Sequence, residues 1–73
     1  MKKEYSIRVL DTQYTIAKWI TVCEYYEGRN GVMRKTAKYT YDEAKAEIQG
    51  RRNEGSTSKY RIYKGANFVE EIA

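Results

Sequence analysis

The chain has no histidine, no proline and a single cysteine, Cys23. Without histidine the commonest general acid–base is missing, and Cys23 has no imidazole to activate it. It lies inside a strand-like run, where a buried structural thiol is the usual case. Ser56, Thr57 and Ser58 form a polar loop with no base near them in sequence. The acid pairs Glu24/Glu27 and Glu70/Glu71 come with no apolar pocket that would raise one pKa above the other. No catalytic residue is therefore expected. A zinc site needs Cys and His together, and no stretch alternates oxygen ligands around a glycine as a calcium loop does. No metal and no cofactor are expected either. Gly28-Arg-Asn-Gly31 leads into a strand-like run rather than a helix, and no Gly-Lys-Ser/Thr follows it, so it is a turn and not a phosphate loop. One cysteine cannot close an internal disulfide, and a secreted domain this small would usually need several, so a cytoplasmic location is expected. The opening Met1-Lys-Lys-Glu-Tyr-Ser has no apolar run behind its lysines, so no secretion signal is expected. The apolar runs elsewhere are too short to span a membrane.

What is present reads as one small domain, 1–73, of 73 residues with 41% hydrophobic and 33% charged content. That balance argues against disorder. The core is small, and a homodimer would help it. The clearest element is a helix over roughly Tyr41 to Asn53. Thr40 and Glu43 have capping-box spacing. Asp42 and Glu43 open the helix and Arg51 and Arg52 close it, as the dipole prefers, and Gly55 is placed to stop it in the left-handed region. Tyr41, Ala44 and Ile48 share one narrow apolar face, which must lie on a sheet. Alternation predicts strands over Glu4–Leu10, Tyr14–Glu27, Val32–Tyr39, Lys59–Lys64 and Phe68–Ile72. The second run is apolar on both faces, with Ile16, Ile20 and Val22 on one and Ala17, Trp19, Cys23 and Tyr25 on the other. Asn30-Gly31 is a strong signal for a tight turn, because both residues tolerate positive φ. In the strand that follows, Met33, Lys35, Ala37 and Tyr39 are taken as the core face. The expected fold is α+β, a small antiparallel sheet in the order β-β-β-α-β-β with one helix packed across one face.

Charge is uneven. Residues 1–28 balance to zero, residues 29–64 hold ten Lys/Arg against four acids, and the last nine residues carry −2. The middle segment interleaves basic and aromatic residues, which is the composition of a surface for nucleic acid. Its candidate residues are Arg34, Lys35, Lys38, Arg51, Arg52, Lys59, Arg61, Tyr63 and Lys64, with Arg61 and Tyr63 on one strand face. The plainer reading is a solubilising surface. A second candidate set, Trp19, Tyr25, Tyr26, Glu24 and Glu27, has the aromatic anchors of a protein interface. Trp19 has a plainer reading too, as a core residue beneath the helix, and that one is preferred. Glu24, Glu27, Glu70 and Glu71 together would make an acidic patch for a basic partner surface.

Trp19 to Ile48, taken as hairpin and capped helix, resembles the arm-type DNA-binding domain at the start of tyrosine integrases. The resemblance implies a sheet facing the major groove with Arg34, Lys35 and Lys38 toward DNA. The chain continues beyond that pattern into Tyr60–Lys64 and Phe68–Ile72. In size and plan the whole chain is similar to small accessory proteins of phages and mobile elements, anti-CRISPR proteins among them. That likeness implies a protein that inhibits or modulates a nucleic-acid-processing complex by occupying its surface. This is the favoured expectation. Direct nucleic-acid binding through residues 29–64 comes next, and a structural homodimer third.

Overall fold

The computed structural model describes residues 2–12 and 16–73. Its elements are β1 (Tyr5–Asp11), β2 (Lys18–Thr21), β3 (Cys23–Gly28), β4 (Gly31–Thr36), α1 (Tyr41–Asn53), β5 (Tyr60–Lys64) and β6 (Asn67–Ile72). The fold is α+β and antiparallel, with six strands in two sheets rather than five in one. One sheet has four strands in the order β2-β1-β5-β6, and the other is the β3-β4 hairpin.

The extra strand comes from a break at Val22. The expected continuous run to Glu27 ends its pairing with β1 at Thr21. Val22 still donates its N–H to the Ile7 carbonyl (2.8 Å), and Ala37 donates to the Val22 carbonyl (3.1 Å). Tyr39 then resumes the β1 edge by exchanging backbone bonds with Tyr5 (2.8 and 2.9 Å). Residues 23–36 are thus a hairpin let into the edge of the sheet, and the buried Val22 and Ala37 are its root. Tyr14 and Thr15, the expected start of this strand, lie outside the described residues, and Ile16 and Ala17 precede β2 without being part of it.

The core lies between α1 and one face of the larger sheet. Ile7 and Ile62 are directly opposed across β1 and β5, and both are 0% exposed. Tyr60, Ala44, Ile48, Val22 and Ala37 complete the buried cluster. Each isoleucine contributes about 1.5–3 kcal/mol by leaving water. The helix ends follow local chemistry. Thr40 Oγ1 accepts from the Glu43 N–H while Glu43 Oε1 accepts from the Thr40 N–H. At the other end Gly55 takes φ 102°. Its N–H reaches the Arg52 carbonyl and the Ser56 N–H reaches the Arg51 carbonyl, closing a Schellman motif. Tyr41 sits at the rim of the core rather than within it, edge-on to the Tyr5 ring, with its hydroxyl donating to Glu70. The expected tight turn joins β3 to β4 at residues 29 and 30. Arg29 and Asn30 keep negative φ, and Gly31 alone is positive, at 105°.

Candidate binding surfaces

Two surfaces stand out, and they are physically different. The first is the hairpin. β4 is exposed along its whole length, and β3 is exposed from Glu24 to Glu27. Cross-strand pairing puts Tyr25 opposite Arg34 and Glu27 opposite Val32, while the other face pairs Glu24 with Lys35 and Tyr26 with Met33. That second face is knit together. Lys35 Nζ reaches Glu24 Oε1 at 3.3 Å and lies 5.6 Å from the centre of the Tyr26 ring. Met33 folds over Gly28 so closely that a Cβ there would fall 2.5 Å from its sulfur. The first face has no such cover. Tyr25 is 70% and Val32 74% exposed, and among the described residues Arg34 has no carboxylate partner. Met33 and Lys35, taken from alternation as core residues, are exposed. Only Ala37 and Tyr39 turn inward, Ala37 into the buried cluster and Tyr39 against it.

The second surface is the face of the larger sheet opposite α1. Side chains alternate between faces along each strand, so the register lays this face out in three rows. Ser6, Tyr63 and Phe68 form one row, Thr21, Arg8, Arg61 and Glu71 the next, and Leu10 with Trp19 the third. A bulge beside Ile62/Tyr63 admits the extra residue Val69, so that Phe68 and Glu71 both reach this face while Glu70 faces the helix. Trp19 is therefore not the core residue beneath the helix that its place in the run suggested. It lies on the opposite face, half-buried, with the Arg61 guanidinium 4.0 Å over its ring. Arg61 Nε also donates to Glu71 Oε1 at 2.8 Å, and that bond keeps its pKa raised. Arg8 lies 4.0 Å over the Tyr63 ring. Its Nε is buried with no hydrogen-bond partner.

The other candidates of sequence do not join either surface. Arg51 pairs with Glu47 on the helix at 3.0 Å. Arg52 is a tie between elements, donating to the carbonyls of Ser58 (2.9 Å) and Ile72 (3.3 Å). Lys64 faces the helix side and meets Glu4 at 3.7 Å, and Lys38 and Lys59 are exposed between elements. The nine basic and tyrosine candidates are thus spread over both sides of the sheet. The acidic residues are spread too. Glu70 binds Tyr41 and Lys45 on the helix side, Glu71 binds Arg61 on the far side, and Glu24 and Glu27 ride on the hairpin. Arg8, Leu10 and Phe68 were not singled out by sequence. The available signal was parity: Arg8 sits on the polar phase of β1, but its neighbours required the β1-β5 register.

Cys23 donates its thiol to the Thr21 carbonyl (3.4 Å) and lines an open cleft of about 430 Å³ with Ile20, Thr21, Arg34, Lys35 and Thr36. Among the described residues no three His, Cys, Asp or Glu side chains lie together as metal ligands, and no helix is long and apolar enough to cross a membrane. No protein-family model, curated protein or solved structure matches this chain.

Proposed function

We propose that this protein is a non-catalytic binding protein that acts by seating its β3-β4 hairpin on a protein partner. The observation that supports this reading is the uncovered hairpin face, where Tyr25, Val32 and Arg34 stand together. A two-stranded ribbon is marginal in water without something packed on it. Tyr and Arg are the usual anchors of protein interfaces, and among the described residues neither hairpin edge has a third strand, which suits addition to a partner's sheet. The complementary surface is an apolar patch with a carboxylate for Arg34. The narrower form of the proposal, an accessory protein of a phage or mobile element that blocks a nucleic-acid-processing complex, draws on the likeness in size and plan.

Photo-crosslinking tests it. A crosslinker is placed at position 25 or 32, with position 59 as control. The expected result is one adduct, to a different protein, formed from 25 and 32 only. With that partner purified, Tyr25→Ser and Val32→Asp each weaken binding by about tenfold or more. Adducts to a second copy of the chain would instead make the hairpin a dimer contact. Equal adducts from position 59 would remove the hairpin from the account.

A further inference from the structure

The open face of the larger sheet carries a cost that folding does not explain. Arg8 and Arg61 are direct cross-strand partners, and like charges so placed destabilise a sheet. One carboxylate, Glu71, serves the pair, and it is bonded to Arg61. Arg8 is left with an aromatic ring below it and an orphaned buried Nε. A buried donor without a partner is costly. An anion held by the Arg8 guanidinium would balance the positive charge that Glu71, bonded to Arg61, leaves uncompensated.

The rest of the face says which anion. Arg8 lies over Tyr63 of the first row and Arg61 over Trp19 of the third. Each pair sets a cation against an aromatic ring. Phe68, 56% exposed, stands edge-on to Tyr63 and 5.8 Å from the Arg61 guanidinium. Aromatic rings and guanidinium cations therefore alternate across one sheet face. We propose that this face is a binding site for single-stranded nucleic acid, with Arg8 and Arg61 on backbone phosphates and Phe68 and the guanidinium–ring stacks receiving unstacked bases. Base-on-aromatic and base-on-guanidinium stacking need little sequence preference. A duplex hides its base faces and offers nothing for these planes to stack on. An acidic peptide would use the charges and leave the rings idle. The site shares no residue with the hairpin and stands or falls apart from it.

Trp19 is the chain's one tryptophan, so its fluorescence reports on this face without a label. The intact protein is titrated with oligo-dT and oligo-rU of about ten nucleotides, with a duplex and polyglutamate as comparators. The expected result is Trp19 quenching by single strands only, with a log–log salt slope of about −1.4 for two phosphates. Arg8→Gln brings the slope to about −0.7, and Arg8→Lys keeps the slope while weakening binding. Phe68→Ala weakens binding by about 5- to 150-fold. Amide shift changes in the wild-type protein should cluster on β1, β2, β5 and β6, a readout that does not depend on any variant folding. Absence of quenching at low salt, equal binding of duplex or polyglutamate, or shift changes confined to the hairpin would each overturn the proposal.

Discussion

The larger sheet and the hairpin use similar residues with opposite outcomes. In β1 and β5 the alternating apolar side chains Ile7 and Ile62 meet the helix and vanish from solvent. In β3 and β4 the same alternation yields Tyr25 and Val32, which stay largely in solvent. Among the described residues there is one helix, of 13 residues, and its buried side chains, Ala44 and Ile48, cover one sheet face. The hairpin is held at its root by Val22 and Ala37, the buried residues that flank it. Apolar alternation therefore marks a strand without saying whether its apolar side faces the chain's own core or another molecule's.

The comparison can be broken from its strong side first. Ile62→Ala removes a side chain with no exposure and should cost about 2–5 kcal/mol, seen as a large fall in the urea midpoint. Thr40→Ala removes half of the capping box and should cost about 1 kcal/mol by the same assay. Acid acts through exposed carboxylates and should have a shallower effect. The Thr40 N–H, aided by Lys3, holds Glu43 below the ordinary carboxylate range, and the Tyr41 hydroxyl, aided by Lys45, does the same for Glu70. Both groups bind protons more weakly folded than unfolded. Their contribution is full above the unfolded pKa of about 4.3 and is lost as pH falls through the lower folded values. Urea midpoints should fall in that window, and Glu43→Gln with Glu70→Gln should flatten the profile. On the hairpin, Tyr25→Ser and Val32→Thr should shift stability by no more than about 0.5 kcal/mol. A loss as large as that of Ile62→Ala would show that the hairpin face is covered.

Much of this architecture was legible from local chemistry. The helix announced both of its ends, because capping by Thr40, Glu43 and Gly55 depends on neighbours a few residues away. The alternation of Tyr60 and Ile62 against Arg61 and Tyr63 placed β5 with one inward face. The break at Val22 was not legible. Residues 18–27 run without glycine or proline, and the chain bends there because Val22 fills the core while the hairpin leaves it. Trp19 was misplaced for a related reason. Its parity along the run was plain, but which parity faces the helix depends on the pairing of Leu10 with Trp19. The opposition of Arg8 and Arg61 is likewise a fact of register, and it joined one residue that sequence had singled out to one that it had not.

The central claim is that the molecule divides into a self-sufficient layer of helix and sheet and a hairpin that opens on its own. Amide hydrogen exchange, measured in the wild type and in Ile62→Ala, tests it most directly. The account predicts that β1 and β5 amides exchange only through global unfolding and speed up sharply in Ile62→Ala. The β3-β4 amides should exchange faster in the wild type and be nearly indifferent to the substitution, as local opening requires. Hairpin amides as slow as those of Ile7 and Ile62, and accelerated in step with them, would contradict it.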